Sequence, residues 1–174
     1  LIGINTEVIE GENATYKVTL SDDNENAVIA TENITVTFKY TYITASGEDI
    51  SETISVVIPA GSSEAPVIVK TTDDDIYEIS EEFMIEIDTV SNQEQFDKVI
   101  IDKRPITAVI NDEDDTNTPN VPNDGDKPVV SIVATDAVAT EGTTDTATFT
   151  ISQTNTSNFD TKVKVTLNLT EITK

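Results

Sequence analysis

Along most of the chain up to Ile110, apolar and polar residues alternate with a period of two, the pattern of a β-strand that buries one face. Ala14, Tyr16, Val18 and Leu20 fall on one side of such a strand, with Thr15, Lys17 and Thr19 on the other. The alternation predicts a long strand over Ile34, Val36, Phe38, Tyr40 and Tyr42, and another over Ile54, Val56 and Ile58. Val67 and Val69 mark a further strand, as do Phe83, Ile85 and Ile87, and then Ile106, Ala108 and Ile110. With an initial strand from Leu1 to Ile9, the count is about seven. No segment carries the spacing of an amphipathic helix.

Turn chemistry separates these runs. Ala45-Ser46-Gly47-Glu48 and Pro59-Ala60-Gly61-Ser62 supply the Gly and Pro that set backbone angles a central strand cannot hold. Short strands without crossover helices predict an all-β antiparallel β-sandwich over residues 1–115, with an up-and-down or Greek-key barrel as the alternative. From Thr116 to Lys127 the apolar pattern lapses, and Pro119, Pro122 and Pro128 stiffen what reads as a linker over 116–128.

A second, similar domain is expected over 129–174. Glu141-Gly142 followed by Ala147, Phe149 and Ile151 repeats Glu10-Gly11 followed by Ala14, Tyr16 and Val18, while Val163, Val165, Leu167 and Leu169 echo the strand that starts at Ile34. Repeats of domain size imply beads on a string. Three strands cannot close a sandwich, and their open edges and apolar face invite aggregation. The expectation is therefore a second, incomplete sandwich, completed in the natural protein or by another partner.

Composition narrows the function. The chain of 174 residues has 33 Asp and Glu against 10 Lys and Arg, a net charge of −23, which is unsuited to binding a phosphate backbone and excludes nucleic acid as an expected partner. Cys is absent, so neither disulfides nor zinc–thiolate sites are possible, and the absence of His removes Ser-His-Asp catalysis and the usual Zn²⁺ ligand sets. No apolar run approaches the ~20 residues of a membrane-spanning helix. With no start Met or signal peptide, the sequence reads as a segment of something longer, a secreted one stabilised by packing or by a non-thiol metal.

The acidic residues are not evenly spread. In a sandwich whose successive strands alternate in direction, the connections after the first, third, fifth and seventh strands emerge at one end. Those connections carry Glu10, then Glu48 and Asp49, then Asp73, Asp74, Asp75 and Glu78, then Asp112, Glu113, Asp114 and Asp115. Of the connections at the opposite end, only the loop at 22–33 is acidic. Two carboxylates about 4 Å apart at a protein surface repel by roughly 4 kcal/mol, so gathering this many at one pole calls for a cation. Hard oxygen donors suit Ca²⁺, which takes six to eight of them. Glu81 and Glu86 are expected to face solvent from the sixth strand, and Asp124 and Asp126 to lie solvated in the linker.

Glu10-Gly11, the run Asp73-Asp74-Asp75-Ile76-Tyr77-Glu78 with Glu82-Phe83 after it, and the closing Ala108-Val109-Ile110-Asn111-Asp112 together resemble the Calx-beta family, calcium-binding sandwiches of sodium/calcium exchangers and of tandem arrays in large bacterial surface proteins. The resemblance covers residues 1–115 and part of 129–174. It implies an immunoglobulin-like sandwich and calcium ligation by Glu10, Asp49, Asp73, Asp74, Glu78, Asp112 and Asp114, with Asp115 and the repeat counterpart Glu141 as further candidates. Asn111 stands where the family often has Asp, which leaves the number of ions open. The function expected from the resemblance is a non-catalytic stalk module of a secreted bacterial cell-surface adhesin, exported by type I secretion and rigidified by extracellular Ca²⁺. Its partners would be neighbouring repeats and calcium ions, with a host-cell or surface ligand met through other domains. The alternative is a calcium-sensing regulatory domain of the exchanger type.

Overall fold

The computed structural model describes residues 1–74, 76–112 and 128–166, and these group into two units. The first unit contains β1 (Ile2–Asn5), β2 (Glu7–Ile9), β3 (Asn13–Thr19), β4 (Ile34–Tyr42), β5 (Ile50–Ser51), β6 (Ser55–Ile58) and β7 (Glu64–Thr71). β8 (Ile76–Tyr77) groups with the second unit, and the first continues with β9 (Glu81–Val90) and β10 (Ile106–Asn111). One sheet has the order β1-β3-β7-β5 and the other β2-β10-β9-β4-β6.

Every pairing within these two sheets is antiparallel except that of β2 with β10. The inward faces are those the alternation marks: Ala14, Tyr16, Val18, Val67 and Val69 from one sheet meet Ile34, Val36, Phe38, Phe83, Ile85, Ala108 and Ile110 from the other in one buried core. Two facing sheets with a shared core make this a β-sandwich and not a barrel.

Sheet membership departs from the sequence reading in three places. The stretch from Leu1 to Ile9 is two strands: β1 pairs with β3, the chain then changes sheet at Thr6, and β2 pairs with β10. Thr6 marks the crossing, its carbonyl accepting a 2.7 Å bond from the Val109 amide. Ile54, expected in a strand, is 67% exposed and precedes β6. The Tyr40 hydroxyl both donates to the Thr53 carbonyl and accepts from the Thr53 amide, each at 3.1 Å, which anchors the chain just before the ladder of β6 begins. The two-residue edge strand β5, which buries Ile50, carries too short a pattern for sequence to reveal.

At the end of the first unit away from the acids, side-chain amides fix the loops. Gln95 Oε1 accepts from the Thr31 amide and hydroxyl and from the Glu32 amide, Asn33 Oδ1 accepts from the Ala60 amide, and Asn92 Nδ2 donates to the Asn33 carbonyl.

In the second unit β11 (Val130–Asp136) pairs antiparallel with β12 (Thr148–Gln153), and β13 (Thr156–Ser157) pairs parallel with β8. Opposed pairs Ile132–Ile151 and Ala134–Phe149 share one face of the ribbon, while the Ser131 and Ser152 hydroxyls are bonded on the other. Residues 161–166 carry no strand, contrary to the expectation from Val163 and Val165, and Leu167 and Leu169 lie outside the described residues, as do residues 116–127 of the expected linker. The repeated turn is preserved in conformation: Gly11 and Gly142 sit at φ of 74° and 81°.

Three tyrosines give the first unit a pH signature. Burial pushes the Tyr16 phenol well above its usual range and Tyr40 up to about 12, and the hydrogen bond to Glu52 raises exposed Tyr42 to about 12. A raised folded-state value means that the native protein holds its proton more tightly than the unfolded chain. Their contribution is therefore complete below about pH 10 and is lost as pH climbs through about 12. In a Tyr77→Phe chain, which leaves only these three of the four tyrosines, absorbance at 295 nm should show ionisation only as the protein unfolds; phenolates appearing near pH 10 in a chain still folded by circular dichroism would contradict the packing. Tyr16→Phe, which removes a buried hydroxyl with no hydrogen-bond partner among the described residues, should stabilise by about 1 kcal/mol in urea denaturation.

Candidate metal centre

At one end of the first unit, backbone hydrogen bonds join four acid-bearing segments. The Glu10 amide donates to the Asn111 carbonyl at 3.0 Å and the Gly11 amide to the Thr72 carbonyl at 3.3 Å. The Thr71 amide donates to the Glu12 carbonyl and the Thr72 amide to the Asp49 carbonyl, at 3.1 and 2.8 Å. The connections at 10–12, 48–49, 72–74 and 111–112 are thus neighbours, as alternating strand direction requires. Gly11 is needed there twice over. Its positive φ favours Gly over residues that carry a Cβ, and a Cβ on it would stand 3.2 Å from the Cβ of Asp73.

The placement of the carboxylates follows from strand parity. On β2 Val8 is buried and Glu10 comes two residues later; on β10 Ala108 and Ile110 are buried and Asp112 follows in phase; on β9 Phe83, Ile85 and Ile87 are buried and Glu81 precedes them in phase. Each acid continues the inward-facing series past the last apolar residue. Their burial fits: Glu10 Oε2, Glu81 Oε2 and Asp112 Oδ1 are all shielded from solvent. Asp49, whose Oδ2 accepts from the Ser46 amide, brings a carboxylate oxygen within 4.8 Å of one from Glu81. At that separation two full charges repel by roughly 3–4 kcal/mol in a near-surface dielectric.

Local sequence offers these acids one base, Lys70, which lies on the exposed, outward phase of β7, opposite to that of Val69 and Thr71. Positions 1–16, 40–69, 71–97 and 105–126 hold no Lys or Arg. The ion pairs Lys17–Glu64, Lys39–Glu86 and Arg104–Asp102 engage other acids. An all-oxygen, all-carboxylate donor set fits a hard divalent cation and is poorly suited to the softer metals that favour imidazole or thiolate.

Glu81 corrects the sequence expectation that it faces solvent. Its signal was present in the phase it shares with Phe83 and Ile85, whereas Glu86, out of that phase, pairs with Lys39 on the outer face. Among the sequence candidates, Glu10, Asp49, Asp73 and Asp112 lie on the joined segments, with Asp73 and Asp74 exposed. Glu78 groups with the second unit, where its carboxylate accepts a hydrogen bond from Asn158 Nδ2. Glu141 is exposed in the second unit beside the Gly142 turn. Asp75, Asp114 and Asp115 lie outside the described residues.

The fold and this pole define an all-β sandwich module with an acid-lined end. No protein-family model and no curated protein matches the sequence. Solved structures similar to it include the apo form of the Calx CBD1 domain, 23% identical, covering 63% of this chain and 91% of that one with a TM-score of 0.47. The calcium-binding domain pair CBD12 of CALX1.1 is 20% identical, covering 63% of this chain and 42% of that one, also at 0.47. The Calx CBD2 domain is 11% identical, covering 67% and 86% at 0.44. Among the described residues no helix is long and apolar enough to cross a membrane.

Two substitutions test this geometry in metal-free buffer. Gly11→Ala should cost more than the 1 kcal/mol or so of an ordinary positive-φ replacement and more than Gly61→Ala, because Gly61 has φ of 85° but nothing within 4 Å of the added carbon. Equal losses of melting temperature would remove the Asp73 contact from the account. Asp49→Asn keeps an oxygen acceptor for Ser46 and removes one charge. It should raise stability in chelator by about 1 kcal/mol, a screened fraction of the contact repulsion; a fall would show that repulsion does not dominate there.

Proposed function

We propose that the chain is a non-catalytic calcium-binding module, a stalk or extender repeat of a secreted, repetitive cell-surface adhesin. Its calcium ligands are Glu10, Asp49, Asp73, Asp74, Glu81 and Asp112. The observation that carries this reading is the continuation of the core's inward phase into carboxylates with buried oxygens, on segments joined by hydrogen bonds. Ionised acids that hold a cation are not free to act as general acids, which argues against a glycosidase-type carboxylate pair. Calcium is favoured over Mg²⁺ because several carboxylates on separate loops give the many-oxygen, adaptable shell that Ca²⁺ accepts, whereas Mg²⁺ keeps most of its water.

A mechanical role follows from where the chain leaves the sandwich. Asp112 comes directly after β10 and opens the acidic, Pro-containing stretch that leads to residue 128. Ions bound at the pole would fix the root of that stretch, and their loss would leave like charges to push the loops apart. The absence of Cys and the strong acidity are in keeping with folding outside the cell in abundant calcium.

Calorimetry in chelator and in millimolar Ca²⁺ tests the proposal. Free calcium a hundredfold above Kd adds about 2.7 kcal/mol per site, which raises the melting temperature by several degrees for a domain of this size. Identical melting curves would refute calcium binding. A dissociation constant of about 10⁻⁴ to 10⁻³ M suits an extracellular module, while about 10⁻⁷ to 10⁻⁵ M would favour the exchanger-type sensing domain instead.

A further inference from the structure

Thr71 and Thr72 stand at the crossing of the acid-bearing segments and carry no charge themselves. Thr71 continues the inward phase of Ala65, Val67 and Val69 and is the buried polar residue of the first unit's core. Its hydroxyl donates to the Glu12 carbonyl at 2.7 Å, the same oxygen that receives its amide. Thr72 uses all three of its polar groups: the amide reaches the Asp49 carbonyl, the hydroxyl donates to the Glu48 carbonyl at 2.7 Å, and the carbonyl accepts from Gly11.

We propose that Thr71 and Thr72 are positioning residues, whose hydroxyls clamp the 10–12 turn and the 48–49 loop against the 72–74 segment and hold Glu10, Asp49 and Asp73 at binding distance before any ion arrives. This rests on the calcium reading above and adds the device that assembles the site. Carboxylates that repel one another move apart unless the backbone beneath them is fixed, and the threonine hydroxyls add to the backbone bonds that fix it. The Thr72 hydroxyl holds the Glu48 carbonyl beside the Asp49 carbonyl held by its amide, and the Thr71 hydroxyl is a second donor to the Glu12 carbonyl and lies 3.4 Å from that of Ile9, at the two sides of the turn. Their effects are separable for that reason: Thr72 acts through Asp49, and Thr71 through the turn that carries Glu10.

The test uses the full chain and titrates Ca²⁺ calorimetrically. Thr72 is exposed, so its variants should fold; Thr72→Ala serves beside Thr72→Val to set aside any effect of the added methyl. Both should weaken calcium binding about tenfold, the loss of one hydrogen bond's worth of alignment, and Thr72→Ser should restore it to within about twofold. In double-mutant cycles Thr72→Val should add almost nothing to Asp49→Asn yet be additive with Glu10→Gln. Amide hydrogen exchange in chelator supplies a calcium-independent arm: exchange at Thr72, whose amide bonds the Asp49 carbonyl, should quicken in Thr72→Val and recover in Thr72→Ser, while exchange at Gly11 in the turn stays as in the wild type. Wild-type protein that binds no calcium refutes the functional reading while this exchange arm still tests the clamp. Unchanged exchange, or wild-type affinity in Thr72→Val, refutes the clamp even where calcium binds.

Discussion

Like charge held at the end of a hydrophobic core is the constraint on which this structure turns. A sandwich buries alternate residues along each strand, and where a strand ends that alternation normally passes into solvent. Here Glu10, Glu81 and Asp112 occupy the next inward positions, so each has a carboxylate oxygen shielded from solvent, and Asp49 brings a further carboxylate oxygen within 4.8 Å of one from Glu81; desolvation and repulsion are penalties that reinforce each other. The arrangement holds because the strands beneath are locked by apolar packing around Tyr16, Phe83 and Ile85 and because hydrogen bonds tie the loops. The phase of each strand at its end and the Gly11 turn together bring acid-bearing segments to one end of the unit.

Much of this was legible in the sequence, since a half-buried strand writes its burial pattern in a period of two. The inward residues of β3, β4, β7, β9 and β10 match that pattern, except that Tyr42, at the end of β4 and in phase with Phe38, is exposed. What escaped depended on partners distant in the chain. Nothing local in Leu1 to Ile9 says that the chain changes sheets at Thr6, because both halves are extended and only their ladders differ. Ile54 has the phase of a core residue, yet the Tyr40–Thr53 bonds place the start of the ladder after it. Glu81 illustrates the opposite error: charge suggested solvent, while phase correctly placed it with Phe83.

The two copies of the repeat separate what a pattern encodes from what a partner provides. Tyr16 and Phe149 hold matching positions after matching Gly turns, but Tyr16 is 1% exposed and Phe149 56%. Both sequences make the same antiparallel ribbon, β1 with β3 and β11 with β12. Among the described residues, buried apolar side chains occur only in the first unit, where a second sheet covers the ribbon's apolar face. A two-stranded ribbon is at best marginal alone, so the apolar face of β11 and β12 measures how much of a sandwich's stability resides in the facing sheet and how little in the hairpin.

The acid pole also limits which agents can relieve it. The one base in the neighbouring sequence, Lys70, is on the outward phase of β7, and monovalent salt acts mainly on exposed charge, screening buried or partly buried groups much less. Protonation would neutralise the acids but would leave no bond between the loops. A divalent ion would do both, replacing the repulsion between acids such as Asp49 and Glu81 with shared coordination that crosses from one segment to the next. On the proposed reading, the repulsion among the acids becomes the coupling between ion and fold: the more firmly the threonines hold the carboxylates together without an ion, the larger the repulsion that binding removes and the smaller the motion needed to remove it. Preorganisation and metal-free instability are then two measures of one quantity, set by the backbone geometry together with the charges it holds.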